Sequence, residues 1–172
     1  MTTIEAVILG LLLEKDYYGY EIEEIIKDRG MREWTDIGFS SIYNILAKAE
    51  KSGLIEWRYE KQYGSPKRKV YSLTEKAKEV LPGEVGRMLS SPKRSFSEFD
   101  VGMAYSNLIE EKSFSNHLLH YKGTLEDRLN KLREKYEEGG KDGMPHNVKA
   151  LFSRHIALIE AELAWLNEEF DI

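Results

Sequence analysis

At 172 residues, 41% hydrophobic and 32% charged, with a net charge of −5, the chain has the composition of a soluble protein that holds one compact domain and a second, smaller piece. The absence of cysteine excludes disulfides and thiolate chemistry and suits a reducing, cytoplasmic compartment. No apolar run approaches the ~18–20 residues of a membrane span, so no membrane partner is expected.

The hydrophobic stretch from Thr2 to Leu13 lacks the basic leader and small-residue cleavage site of a signal peptide and reads instead as a helix. Ile4, Val7, Ile8, Leu11 and Leu12 follow the helical stripe, Thr2 and Thr3 are available as caps, and Glu5 complements the helix dipole. A second helix is predicted from near Tyr18, packing Ile22, Ile25 and Ile26.

After Gly38 a third helix is predicted, with Ser40 and Ser41 as N-terminal caps and Ile42, Ile45, Leu46 and Ala49 as its buried stripe. Its other positions are small, amide, hydroxyl or cationic: Tyr43, Asn44, Ala47, Lys48 and Lys51. Such groups approach phosphates and base edges without bulk. Gly53 is placed to end the helix. From Leu54 to Glu60 apolar and charged residues alternate, with Ile55, Trp57 and Tyr59 on one face, which predicts a half-buried strand. Trp57 is expected to pack at the root of the hairpin. The return strand spans Lys69 to Leu73, and Gly64 and Pro66 make the turn that carries the cationic run Lys67, Arg68 and Lys69.

Two helices, a recognition helix and a basic hairpin, in that order, make a winged helix-turn-helix, and point to duplex DNA. The net charge of −5 argues the other way until it is located. From Ser40 to Lys78 there are nine lysines and arginines against four glutamates, a local +5, while acids collect at Glu21, Glu23, Glu24 and Asp28 and in the C-terminal half.

These segments carry a family resemblance. Ile8-Leu9-Gly10-Leu11-Leu12, Tyr18-Gly19-Tyr20-Glu21-Ile22, Ser40-Ser41-Ile42-Tyr43-Asn44-Ile45-Leu46, Gly53-Leu54-Ile55 and Arg68-Lys69-Val70-Tyr71-Ser72-Leu73-Thr74-Glu75-Lys76 resemble, as an ordered series, the PadR family of bacterial and archaeal transcriptional regulators. Ser65 stands where members often carry a wing arginine, and Ala77 where many have glycine. The resemblance implies a homodimeric repressor on a pseudo-palindromic operator. It also implies a helical C-terminal part of the virulence-activator type that joins the subunits, and, in some members, release of DNA by a small aromatic or phenolic compound.

Beyond Leu81, Pro82 and Gly83 are expected to weaken or interrupt the helix that starts at Thr74, and Ser90-Ser91-Pro92 to end it. The expected organisation is a DNA-binding domain over residues 1–91 and an α-helical dimerisation and effector domain over 92–172. The tetrapeptide Ser-Pro-Lys-Arg occurs at Ser65 and again at Ser91, where it reads as a solvated linker.

Three helical patterns follow. Phe96, Phe99, Met103 and Leu108 mark the first. Leu118, Tyr121, Leu125, Leu129, Leu132 and Tyr136 form a heptad-like seam. Glu137 to Asn147 is expected as a turn. The last helix carries Val148, Phe152, Ile156, Ile159, Leu163, Leu166 and Phe170 on one stripe, with Leu151, Leu158, Ala161 and Trp165 on neighbouring faces. So broad an apolar surface calls for a second subunit. The fold class is therefore mainly α with a small β-hairpin: a winged helix-turn-helix followed by a helical dimerisation domain.

No catalytic constellation is present. His117 and His120 fall at i, i+3 without the further ligands of a metal site, and no phosphate-binding glycine loop, nucleophile elbow or paired-acid motif occurs, so neither a cofactor nor a metal is expected. The DNA-contacting candidates are Ser40, Ser41, Tyr43, Asn44, Lys48 and Lys51 on the helix and Lys67, Arg68 and Lys69 on the wing. Trp34 and Trp165 are candidates for the wall of a pocket for a small aromatic effector. A winged module that binds another protein instead of DNA is the competing class, favoured by the acidic total and by Ser65.

Overall fold

A computed structural model describes residues 1–61, 67–92, 97–141 and 143–172; the side chains at 39–41 and 141 fall outside that description. The turn at Gly64 to Pro66, with Ser65, and the second Lys-Arg pair at Lys93 and Arg94 therefore lie outside the described residues, as does Phe96. Two compact units divide the chain, Met1–Arg94 and Ser95–Ile172.

The N-terminal unit is built around α1 (Thr3–Glu14). Thr2 and Glu5 form a capping box: the Thr2 amide donates to Glu5 Oε2 at 2.7 Å and the Glu5 amide to Thr2 Oγ1 at 3.2 Å. Ile8 and Leu9 lose all solvent contact, because three elements close over this helix. These are α3 (Phe39–Lys51), β3 (Arg68–Leu73) and α4 (Glu75–Ser90). α2 (Gly19–Asp28) contributes Ile22 and Ile26 to the same core, and Arg29 at its end makes a two-pronged ion pair with Glu14, at 2.6 and 2.7 Å, that ties it to the end of α1.

The hairpin of β2 (Ile55–Glu60) and β3 is joined by a third strand, β1 (Tyr17–Tyr18), in the order β1-β3-β2, all antiparallel. Tyr17 faces Tyr71 and Tyr18 faces Val70, while Ile55 pairs with Leu73 and Glu60 with Arg68. Two-residue strands carry no period, so the alternation that reveals the hairpin leaves β1 invisible.

α4 runs unbroken through Pro82. Ala77 and Leu81 anchor its inner face, and Pro82 lies on the exposed side, where the carbonyl stranded by its missing N–H is open to water.

In the C-terminal unit, α5 (Glu98–Ala104) and a 3-10 turn at Ser106–Leu108 precede two long helices, α6 (Glu111–Lys141) and α7 (His146–Phe170). Leu118, Leu125, Leu129 and Leu132 meet Phe152, Ile159 and Leu166 in a heptad-spaced seam. α6 continues four residues past Glu137, further than its glycines suggest. The connection closes through Gly143, in the left-handed region at φ 80°, and Met144 folds back over Gly139 so closely that a Cβ there would lie 2.0 Å from Met144 Cε. Leu108, expected in the first helical stripe, is exposed in the 3-10 turn.

Candidate nucleic-acid interface

The recognition helix α3 is held at both ends. On its entry side Gly30 turns the chain in the left-handed region, at φ 60°, and Arg32 reaches across the loop to Glu23 (2.6 Å) and to the Ile37 carbonyl (3.0 Å). The Thr35 hydroxyl donates to the Met31 carbonyl at 2.7 Å, which satisfies a buried polar group in the same loop. The N-cap is Gly38, not Ser40 or Ser41; extended at φ −80° and ψ 155°, it brings Phe39 into the first turn, so the two serines occupy the second and third helical positions. Their side chains lie outside the described residues.

At the exit Gly53, at φ 68°, donates to Glu50 O and Leu54 to Ala49 O, both at 2.9 Å, the paired bonds of a Schellman motif. The Thr-Glu-Lys turn then locks this corner. Thr74 Oγ1 donates to Gly53 O at 2.8 Å, and Lys76 Nζ to Ser52 O at 2.8 Å.

Ile42, Leu46 and Ala49 are buried, which turns Tyr43, Asn44, Ala47 and Lys51 outward. Lys48, on the same surface, is turned to Glu5, with Nζ 2.7 Å from Oε1. Burial opposes ionisation of Glu5, but the hydrogen bonds from Lys48 and the Thr2 amide outweigh it and hold the carboxyl below its ordinary value.

On the wing, Trp57 joins strand to helix: its Nε1 donates to Glu50 Oε1 at 2.6 Å, its ring meets Tyr59 edge-on, and Lys69 Nζ sits 3.8 Å above it. That stacking is worth about 0.5–2 kcal/mol and fixes where the Lys69 charge stands. Arg58 spends its charge on Asp16 (2.6 Å) and Glu60 (2.7 Å), and Lys78 on Glu75 (2.7 Å). Among the described residues no carboxylate lies within ion-pair distance of Lys51, Lys67, Arg68 or Lys69. The wing root and the end of α3 thus carry basic charge that no carboxylate among the described residues offsets.

Between wing and helix lies a recess of about 350 Å³ lined by Tyr18, Gly19, Tyr20, Tyr43, Arg68, Lys69 and Tyr71. Tyr18 and Tyr20 stack at 5.6 Å, Arg68 lies 5.0 Å from the centre of the Tyr20 ring, and the Tyr18 hydroxyl donates to Glu60 at 3.2 Å. Gly19 leaves the Tyr43 ring its place: a Cβ there would stand 2.9 Å from Tyr43 Cε1 and push the ring aside. Of the expected site residues the structure brings Tyr43, Arg68 and Lys69 together here, leaves Asn44, Lys51 and Lys67 exposed, and diverts Lys48. Tyr18, Gly19 and Tyr20 were visible only as a motif; their place at the recess depends on β1 pairing with β3.

The two tryptophans proposed for an effector pocket belong to different units. Trp34 is half-buried just after the 3-10 turn at Met31–Glu33, and Trp165 is 39% exposed on α7.

Residues 8–82 match the Transcriptional regulator PadR-like family. A Lysinibacillus sphaericus protein, named "Uncharacterized protein X", is 36% identical over 78 residues, 45% of this chain and 71% of that protein. The chain belongs to the PadR-like family. As a PadR-like protein it is a transcriptional regulator and not an enzyme. The fold likeness extends well past the matched residues. Bacillus subtilis PadR, solved in complex with operator DNA, shares the fold at a TM-score of 0.83 and 21% identity, covering 98% of this chain and 96% of that one. The same PadR solved with p-coumaric acid gives a TM-score of 0.68 at 21% identity, over 96% and 99% of the two chains. The Vibrio cholerae virulence activator AphA gives 0.74 at 17% identity, over 96% and 95%. Among the described residues no helix is long and apolar enough to cross a membrane, and no group of three or more His, Cys, Asp or Glu is placed to hold a metal ion.

Proposed function

We propose that this PadR-like chain is a cytoplasmic, homodimeric repressor that reads a pseudo-palindromic operator and releases it when a small aromatic ligand binds. The observation that carries the DNA reading is the convergence of Tyr43 from α3 with Arg68 and Lys69 from the wing, with none of Lys51, Lys67, Arg68 and Lys69 paired to a carboxylate among the described residues. Ser40, Ser41, Tyr43 and Asn44 enter the major groove, Lys51 meets its edge, and Lys67, Arg68 and Lys69 hold backbone phosphates. Lys48 is assigned to bracing α3 on α1. In the dimer the two recognition helices stand about 34 Å apart, one helical turn of DNA.

Residues 92–172 supply the dimer contact and the sensor. Leu119 on α6 and Leu158 on α7 are each 51% exposed, outside the packed α6–α7 seam, which supports burial by a second copy. Trp165 walls a cavity, which supports it over Trp34 as the effector residue. Ligand binding there would change the spacing of the two reading heads.

Fluorescence anisotropy on the chain's own upstream DNA tests this. Binding should fall steeply with salt, and alanine at Lys67, Arg68 and Lys69 should reduce the slope of log K against log salt by about 5 in the dimer, since each phosphate contact contributes about 0.9. A salt-insensitive interaction unaffected by the triple change would return the winged unit to the protein-binding class.

A further inference from the structure

The C-terminal unit holds a recess unlike any on the DNA-reading side. Phe99 of α5 stacks on Tyr121, with centroids 4.3 Å apart and planes at 19°, and meets Trp165 of α7 edge-on at 6.1 Å and 85°. Trp165 in turn meets Phe170 edge-on at 5.4 Å, so its ring is held from two sides. Around these rings opens a cavity of about 530 Å³ lined by Phe99, Asp100, Met103, Ala104, Glu162 and Trp165. The recess is open to solvent, with Asp100 exposed and Trp165 39% exposed, and its volume is in the range of small-molecule sites.

Its charge is one-sided. Asp100 and Glu162 both line the cavity, no cation lines it, and among the described residues neither carboxylate has an ion-pair partner. Each is already oriented: Asp100 Oδ2 accepts the Ser97 amide at 3.2 Å, and Glu162 Oε1 accepts the Tyr121 hydroxyl. Arg128 acts electrostatically on Tyr121 in opposition to Asp100 but does not line the space. Two fixed carboxylates in an aromatic-walled recess repel an anion and leave a cation both a counter-charge and a π-face.

We propose that this recess binds an organic cation, a multi-ring aromatic amine or onium compound, with Phe99 and Trp165 against its apolar surface and Asp100 and Glu162 as counter-charges. The proposal names the ligand class for the sensing role given to the C-terminal unit, and so rests on that reading. It also departs from the p-coumaric acid bound to Bacillus subtilis PadR, a carboxylic acid that is anionic at neutral pH. Phe99 and Met103 wall a second, more apolar cavity of about 430 Å³ with Phe114 and Leu118, which gives the ligand's ring system room beyond the carboxylates.

The test compares tetraphenylphosphonium with tetraphenylborate, ions of nearly one size and opposite charge, titrated into the full chain by calorimetry and by tryptophan quenching. The phosphonium should bind at least about tenfold tighter than the borate. Glu162→Gln and Asp100→Asn should each weaken the phosphonium several-fold and leave the borate unchanged, Glu162→Asp should restore binding, and Trp165→Phe should remove most of the quenching. Asp100 also caps α5, so thermal melting of each variant accompanies the titration; the pair Glu162→Gln and Glu162→Asp decides the matter should Asp100→Asn unfold. Equal or tighter borate binding, full phosphonium affinity in Glu162→Gln, or no phosphonium binding because a second copy fills the recess would each overturn the proposal. No DNA is needed, so a protein that binds the phosphonium without answering to an operator loses only the regulatory reading, and the reverse result loses only this one.

Discussion

Replacing Lys48 with alanine separates bracing from DNA contact on the recognition helix. The lysine ammonium lies 2.7 Å from Glu5 Oε1, and the Glu5 side chain is 10% exposed while that of Lys48 is 62% exposed. Glu5 also closes the capping box of α1 through Thr2. Stranding a fully buried charge costs about 3–5 kcal/mol, and losing an exposed pair at most about 1 kcal/mol. One buried and one exposed partner place the Lys48→Ala loss between them, at about 1–2 kcal/mol. For a domain of this size that lowers the melting temperature by about 5–15 °C. The pH dependence has a definite sign. Burial raises the Glu5 carboxyl and the bonds from Lys48 and Thr2 lower it further, so the net shift is downward from 4.5. The stabilisation is therefore fully present above the unfolded value and disappears as pH falls through the folded one. The deficit of Lys48→Ala should be complete at pH 7 and shrink below pH 4.5. In DNA titrations the same variant should keep nearly the whole salt slope, whereas Lys67→Ala should lose about 1.8 of it in a dimer. Calorimetric melting across pH, with anisotropy across salt, checks both. A variant that melts with the parent yet loses slope as Lys67→Ala does would refute the assignment.

Gly19→Ala puts a methyl 2.9 Å from Tyr43 Cε1, and because the Tyr43 ring is half exposed it can swing away. Stability should change by less than about 1 kcal/mol, while operator affinity falls about tenfold, the scale of one lost groove contact; unchanged affinity would remove Tyr43 from the interface. Gly53→Val forces a branched side chain into φ 68° at the exit of α3, and urea denaturation should show a loss of about 1–2 kcal/mol or more. Leu166 is fully buried in the α6–α7 seam. Leu166→Ala should cost about 2–5 kcal/mol in a denaturation experiment on the full chain.

Most of the winged unit was readable because its signals are local and periodic. The stripe Ile42, Ile45, Leu46 and Ala49 and the alternation from Ile55 to Glu60 state their periods within a few residues, and Gly53 and Thr74 occupy positions where few other residue types serve. The heptad spacing of Leu118, Leu125 and Leu132 announces α6 for the same reason. Errors fell where a local rule met a neighbour. Pro82 is an interruption by its own chemistry, but the buried Leu81 beside it and an open solvent face let α4 pass through. The glycines after Glu137 suggest a break, yet Gly139 stays helical and is needed so that Met144 can fold over it.

Periodicity, capping chemistry and the location of charge, all written in the sequence, determined that this chain has two helices, a recognition helix and a basic hairpin, and a helical second half. Which of these charges have a carboxylate partner was decided only by the tertiary structure. Lys48 and Arg58 are as basic in the sequence as Lys67 and Lys69, but Glu5 and Asp16 reach them from elsewhere in the fold. The recess of Tyr18, Gly19, Tyr43 and Arg68, and the pairing of Asp100 with Glu162 beside Trp165, likewise join residues tens of positions apart. Side-chain periods describe one element at a time, whereas ion pairs and cavities arise where separate elements pack, and no local pattern records that.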